Sequence, residues 1–314
     1  MKDDNLNFKI FINKINEDWI VDRLKEEFLF YSRNIVTKNV RKSDIIWIIA
    51  PWTWKNISQK YLKTKKVVCT IHHIDEDKFN SETAFEFYKR DSYVDLYHAI
   101  SQKTFDQLKK YTDKKIILLP FWIDKNKWFY IDNKDDIKEK YKISKDEFII
   151  GSFQRDSEGH NTKLPKLSKG PDRLIEIIRY YKTQNPNLNV LLTGKRRDYI
   201  INELNKYNIN FHFYEMAEQE TMNEFYNLLD LYIVSSRYEG GPFSIYESAM
   251  TKTPIISTDV GIASEILSKD SIYSMKDFKN AVPNVKYAYN KVQEFTIEKI
   301  IPKYYEMFKS VYES

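Results

Sequence analysis

Short apolar runs alternate with amphipathic stretches along this chain, in two successive sets. In the first set FKIFI (8–12), DIIWIIAP (44–51), KVVCTIHHI (66–74), DLYHAIS (95–101) and KIILLPFWI (115–123) are rich in Ile, Val and Leu. Nearly continuous aliphatic runs of this length predict strands buried on both faces, hence a parallel sheet covered by helices. DWIVDRLKEEFLFY and QKTFDQLKKY, between these runs, have the spacing of helices with one apolar face. The segment 131–147, IDNKDDIKEKYKISKDE, is highly charged and poor in large aliphatics, and it reads as a boundary.

The pattern then restarts. EFIIGSF (147–153), NVLLTGK (189–195), INFHFYEM (209–216), DLYIVSS (230–236) and TPIISTD (253–259) form the second set of strands, with helices at PDRLIEIIRYYKTQ, RDYIINELNKY and EQETMNEFYNLL. Two consecutive βα arrays predict an α/β protein of two doubly wound, Rossmann-like domains facing a cleft. The expected division is 1–140, 141–293 and a C-terminal crossover helix, 294–314, whose amphipathic EFTIEKIIPKYYEMFKSVY packs back on the first domain.

A length of 314 residues suits two domains. Charged residues are 30% and hydrophobic ones 42%, and no run approaches the ~18 apolar residues of a membrane span. The N-terminal MKDDNLNFKI lacks the pattern of a secretory signal, and Cys69 stands alone, so a reducing, cytoplasmic setting is expected. The net charge of +5 lies wholly in the first half: residues 1–150 hold 29 Lys and Arg against 24 Asp and Glu, residues 151–314 hold 21 against 21. That half is the better candidate to meet an anionic partner, including the inner face of a membrane, although such an excess is also ordinary surface composition. All seven glycines follow residue 150, so close approach of backbone to a ligand is expected in the second half.

The stretch EGGPFSIYE, 239–247, sets a glutamate at each end of a strand–turn–helix junction. Ligands of open α/β sheets bind at the carboxyl ends of the strands, and the N–H groups of a helix start hold phosphate. Gly240 and Gly241 would let backbone come close, and Pro242 is tolerated at a helix start. Carboxylates repel phosphate but accept hydrogen bonds from sugar hydroxyls. Glu239 and Glu247 around an anion-binding turn therefore suit a ligand that is charged in the middle and rich in hydroxyls at both ends, as a sugar nucleotide is.

Here the sequence resembles the retaining glycosyltransferases of family 4, of the GT-B fold. Their hallmark pair of glutamates, separated by seven residues around a glycine turn, is matched by Glu239 and Glu247 within SSRYEGGPFSIYESAMTKTPIISTDVGIASEIL. FIIGSFQR, KGPDRLIEII, LLTGKRRDY, AISQKTFDQLKKY and ILLPFWIDKNKW extend the likeness in family order. The resemblance implies that Glu247 holds the ribose and Glu239 the donor sugar, with the backbone of Gly240, Gly241, Phe243 and Ser244 facing phosphate and sugar. It implies that Arg155 and Lys169 neutralise the diphosphate, and that His72 orients the sugar without acting as a general base. Base contacts would come from backbone near Tyr214 to Met216. No metal and no cofactor is implied; His72, His73 and Asp75 lack a matching ligand cluster elsewhere.

Two departures stand out. Thirteen residues, 156–168, separate Arg155 from Lys169 where the family has a handful, so either Lys163 or Lys166 can enter the role, or the insertion covers the cleft. The first loop, 13–20, contains no glycine. Bland alternatives stand beside these readings: acids that merely favour a helix start, exposed surface cations, rim histidines at a strand end. Trp47, Trp52 and Trp54 read as packing residues more than as a stacking surface for an acceptor. The expected activity is transfer of a sugar from a UDP- or GDP-sugar to a saccharide or lipid-linked acceptor. The alternatives are a sugar-nucleotide-binding module without catalysis and, less favoured, a nucleic-acid-binding protein, against which the absence of a basic stripe argues.

Overall fold

The computed structural model describes residues 6–13 and 20–314, and the chain forms two units, one of residues 1–122 with 297–314 and the other of 123–296. The glycine-free loop lies largely outside the described residues.

The first unit holds strands β1 (Ile10–Ile12), β2 (Ile45–Ile48), β3 (Lys66–Ile71), β4 (Leu96–Ala99) and β5 (Lys115–Leu118), all parallel and side by side in that order. Helices α1 (Ile20–Tyr31), α2 (Gln59–Leu62), α3 (Ser81–Asp91) and α4 (Gln102–Leu108) connect them. After α1 the chain does not go straight to β2. It makes a parallel bridge at Val36 on the outer edge of β1, with Ile10 N–H donating to Ile35 O at 2.7 Å and Thr37 N–H to Ile10 O at 2.9 Å. Only then does it return to pair on the other edge of β1 as β2. This reversal places helices on both faces of the sheet. Ile46, Ile48, Val67, Cys69 and Ile71 share a buried cluster with Leu62, Phe87 and Leu108 of α2 to α4.

On the opposite face Trp47 packs edge-on against Phe28 of α1 (5.0 Å between ring centroids) and Phe308 of the C-terminal helix Ile297–Tyr312 (5.2 Å). That helix buries Ile297, Ile300, Ile301, Tyr304, Met307, Phe308 and Val311, a stripe at helical period. A buried network ties it to the sheet. Trp47 Nε1 donates to Thr70 Oγ1 (2.8 Å), Thr70 Oγ1 bonds His98 Nδ1 (2.9 Å), and Tyr304 OH lies 3.2 Å from His98 Nε2.

The second unit contains α5 (Lys134–Lys140), β6 (Phe148–Ser152), α6 (Pro171–Gln184), β7 (Leu188–Thr193), α7 (Asp198–Lys206), β8 (Phe211–Tyr214), α8 (Gln219–Leu228), β9 (Leu231–Val234), α9 (Phe243–Met250), β10 (Ile255–Thr258), α10 (Ala263–Ile266), β11 (Ile272–Tyr273) and α11 (Val285–Val292). Its parallel sheet has the order β11-β10-β9-β6-β7-β8. Successive residues face opposite layers, as the pleat requires: Ile149, Leu191, Tyr232 and Ile255 face one core, Ile150, Val190, Leu192, Ile233 and Ile256 the other. Each fully buried aliphatic contributes roughly 1.5–3 kcal/mol. The sheet grows outward from β6 in one direction through β7 and β8, then restarts beside β6 with β9. The reversal between β6 and β9 is a topological switch point.

The division of the chain corrects the expected boundaries. Residues 123–140 belong to the second unit, because Trp128 packs edge-on against Tyr226 at 5.5 Å, Ile131 N–H donates to Asn227 Oδ1 at 2.7 Å and Lys134 pairs with Asp230 at 2.6 Å. Their charge, which suggested a boundary, is met in part by side chains of α8 and the turn after it. The unit also extends to Thr296, where Ile123 N–H donates to Phe295 O at 2.8 Å.

Candidate functional site

The switch point of the second sheet gathers much of the chemistry. Gln154 and Arg155 follow β6, and the turn Ser235–Pro242 follows β9 and feeds α9. Beside them a single 3-10 turn, Leu167–Lys169, ends in Gly170 at φ +64° and leads into α6. A Cβ on Gly170 would stand 2.0 Å from Ser235 O, so only glycine lets the Lys169 segment lie against the β9 turn. Arg237 and Tyr238 N–H donate to Ser168 O at 2.8 and 3.2 Å, and Arg237 forms a two-bond ion pair with Asp172 at 2.8 and 2.6 Å.

This packing delivers Lys169 to Glu239. The ammonium bonds Glu239 Oε1 directly, and both side chains are mostly buried. Ser236 Oγ lies 3.1 Å from the same oxygen and 3.3 Å from Gln154 Oε1, while Gln154 Nε2 donates to Lys169 O at 3.0 Å. Glu239 is therefore oriented by Lys169 and Ser236, and Lys169 by Gln154 and Gly170. Ser236 and Gln154 were not singled out from sequence, since small polar side chains in loops carry no periodic signal.

Glu247 lies on α9, buried to 6% exposure, and its Oε2 accepts from Tyr226 OH at 2.7 Å. Tyr226 is packed between Trp128 and Phe153, and burial followed by the Glu247 charge raises its phenol well above the ordinary value, which keeps it a donor. Ser244 hydrogen-bonds Tyr232, whose hydroxyl also receives Phe153 N–H at 3.1 Å. Helix α9 begins after Pro242 with no side-chain cap, and Ile245 N–H closes on Pro242 O at 3.0 Å. The amides of Phe243 and Ser244 are among those that helix geometry leaves outside its own ladder.

Gly240 and Gly241 stand in the turn between β9 and α9. Neither adopts positive φ; the left-handed residue is Gly261 at φ +49°, in the turn after β10. A Cβ there would meet Gly240 O at 2.3 Å and Glu239 O at 2.9 Å, so this turn is the buttress behind the glutamate. Met216 lies just beyond β8 with its side chain exposed, on a stretch anchored by Gly194 N–H donating to Glu215 O at 2.9 Å.

The insertion 156–168 is a folded loop anchored at the end of β6. Ser157 and Pro165 form an antiparallel bridge, and Lys166 N–H donates to Asp156 O at 2.7 Å. Beneath it Asp156 and Arg197, both fully buried, form an ion pair, and Arg197 also donates to Ser152 O and Thr193 O at 2.6 Å, at the ends of β6 and β7. Burial pushes the Asp156 carboxyl up, opposed by the Arg197 guanidinium. Lys163 is exposed, whereas Lys166 is half-buried, its pKa lowered first by burial and then by Lys169 and Arg155. Neither Asp156 nor Arg197 was anticipated as a buried pair.

In the first unit His72 follows β3. Its Nε2 lies 2.9 Å from Ile49 O, which only accepts, so Nε2 carries the proton and Nδ1 is the acceptor atom. Burial lowers its pKa to about 4, so the ring is neutral at pH 7. His73 is exposed. Trp47 and Trp54 are core residues, while Trp52 is 53% exposed with its ring 5.7 Å from that of His72. Among the described residues no group of His, Cys, Asp and Glu is arranged to hold a metal, and no helix is long and apolar enough to cross a membrane.

Residues 133–286 match the family model of glycosyl transferases group 1. That match lies within the second unit. Solved structures extend the likeness in fold to 96% of the chain. Anabaena HepE in complex with UDP-glucose has a TM-score of 0.72 at 13% identity, covering 96% of this chain and all of that one. Sucrose-phosphate synthase from Thermosynechococcus elongatus has a TM-score of 0.69 at 15% identity, covering 96% of this chain and 81% of that one. TarM of S. aureus, in complex with fondaparinux, alpha-GlcNAc-glycerol and UDP, has 0.64 at 16% identity over 91% of this chain and 58% of that one. No curated protein matches the sequence. The fold is α/β, of two Rossmann-like parallel-sheet domains of the GT-B class, and the candidate site of the second unit sits at its switch point.

Proposed function

We propose that the protein is a retaining glycosyltransferase that moves a sugar from a nucleoside diphosphate donor to a hydroxyl of a saccharide or lipid-linked acceptor. The observation that carries this reading is the pairing of Lys169 with Glu239 at the β6/β9 switch point, beside Arg155 and the uncapped start of α9. A donor diphosphate would lie against the α9 amides with Arg155 and Lys169 opposite its charge, its ribose on Glu247 and its sugar on Glu239. Met216 and its neighbours would meet the base. UDP-sugars are the first donors to try, since HepE has been solved with UDP-glucose.

In the reaction the bond from the anomeric carbon to the phosphate oxygen breaks and a bond to the acceptor oxygen forms on the same face. The acceptor proton passes to the departing phosphate oxygen. Charge accumulates on that leaving group, and fixed cations with helix amides stabilise it at no cost of reorganisation. His72, neutral, is suited to orient a sugar hydroxyl through Nδ1 and is not required as a base. The reading requires neither a metal nor a cofactor. The positive excess of residues 1–150 supports an anionic or membrane-borne acceptor, which salt-sensitive vesicle binding would test.

The test is thermal stability with UDP, GDP, ADP, CDP and their sugar conjugates; a ligand at 100 times its dissociation constant adds about 2.7 kcal/mol. The expected result is stabilisation by one base that is lost in Glu247→Gln, followed by transfer with retained anomeric configuration. Binding without transfer or hydrolysis would leave a sugar-nucleotide-binding module, and absence of binding to every donor would overturn the reading.

A further inference from the structure

We propose that Lys166, presented by the insertion 156–168, binds a phosphate oxygen of the donor as a third cation of the site. The proposal rests on the donor-site reading above and adds a residue to it.

Backbone geometry places Lys166 where it can act. Its N–H is held by Asp156 O at 2.7 Å, next in sequence to Arg155, and its own carbonyl accepts from Lys169 N–H at 2.8 Å. Lys166 is thus tied by one hydrogen bond to the neighbour of each cation expected at the diphosphate, or to the cation itself. The loop cannot drift from this position readily, because Asp156 is locked to Arg197 below it and Arg197 is locked to the ends of β6 and β7.

The side chain is the second observation. Lys169 is matched by Glu239, but among the described residues the Lys166 ammonium has no ion pair and no hydrogen bond, although it is half-buried. A lysine partly withdrawn from water gains from a partner. After burial the influences on Lys166 are, in order, Lys169, then Glu158 with the opposite sign, then Arg155, then Glu239. Lys166 stands near Lys169 and Arg155, where an anion would supply the partner it lacks. Lys163, on the same loop, is exposed and takes no part in this cluster.

Inorganic pyrophosphate is the probe, measured by titration calorimetry on the full chain, with Lys166→Gln, Lys166→Arg, Lys163→Gln and Glu247→Gln. The expected result is affinity about ten-fold weaker in Lys166→Gln, largely restored in Lys166→Arg, and unchanged in Lys163→Gln. Without ligand, Lys166→Gln should melt at or above the wild-type temperature, because it removes repulsion; a lysine with a structural role would melt lower. Wild-type pyrophosphate affinity in Lys166→Gln, or no pyrophosphate binding by the wild type, overturns the proposal. If a nucleoside diphosphate binds in a Glu247-dependent way while Lys166→Gln has no effect, the proposal alone fails. If pyrophosphate binding depends on Lys166 but no nucleoside diphosphate binds, the anion site stands and the donor reading fails.

Discussion

Gly261→Ala should damage the site without replacing any residue that contacts the ligand in the proposed reading. The added Cβ would lie 2.3 Å from Gly240 O, 2.5 Å from Gly240 C and 2.9 Å from Glu239 O. An ordinary non-bonded contact is about 3.5 Å, so the Glu239–Gly240 backbone must retreat by roughly 1 Å. All three atoms are backbone, so no flexible side chain can absorb the shift. Alanine in the left-handed region costs about 1–2 kcal/mol, and overpacking adds about 1–3, for a total loss of about 2–5 kcal/mol. A displacement of ~1 Å in a positioning element can cost ~100-fold in turnover.

Gly194→Ala is the matched control. Gly194 also has positive φ, +92°, but nothing lies within 4 Å of its Cβ position. Alanine there suffers backbone strain at least as large, with no displacement of the β9 turn. The assay is urea denaturation together with donor turnover, or donor affinity while the acceptor is unknown. Gly261→Ala should lose more stability than Gly194→Ala and ~100-fold of turnover, and Gly194→Ala should stay within a few-fold of wild type. Equal damage in both variants, or wild-type turnover in Gly261→Ala, would refute the claim that Gly261 sets the position of Glu239.

Glu247→Gln keeps an acceptor for Tyr226 OH, so the fold should melt close to the wild type while stabilisation by a nucleoside diphosphate disappears; retained stabilisation would remove Glu247 from the ribose. Asp156→Asn leaves Arg197 buried and uncompensated, and urea denaturation should show a loss of about 3–5 kcal/mol. His98, fully buried, has its pKa lowered from 6.5 to about 4 by burial, so the folded state resists the proton that the unfolded chain accepts. Its contribution is complete above pH 6.5 and is lost as the pH falls toward 4, by up to about 3 kcal/mol, and unfolding free energies at pH 7.0 and 4.5 should differ less in His98→Asn by that amount. An identical pH dependence in the variant would show that His98 does not titrate on unfolding.

The sheets were legible because burial on both faces leaves a composition that survives in one dimension: IIWI, KVVCTI, FIIGS, LYIV and IIST all became strands. The spacing of Glu239 and Glu247 was legible because a strand, a tight turn and a helix place both carboxylates in one unit. The pairing of Lys169 with Glu239 was not, because the two stand 70 residues apart and meet only when Gly170 lies against Ser235. The charged segment 131–147 misled for the reverse reason: solvent and Asp230 or Glu224 satisfy a lysine equally well, and sequence does not distinguish them.

By itself, then, the sequence determined two βα arrays and the strand–turn–helix carrying the glutamates, since hydrophobic period and turn chemistry are local properties. Tertiary structure alone decided that the first array reverses at Val36, that Gly261 rather than Gly240 takes the left-handed turn, and that Asp156 and Arg197 are buried together under the insertion. Each of these depends on which backbone lies behind a residue, and that is settled only when distant strands have chosen their neighbours.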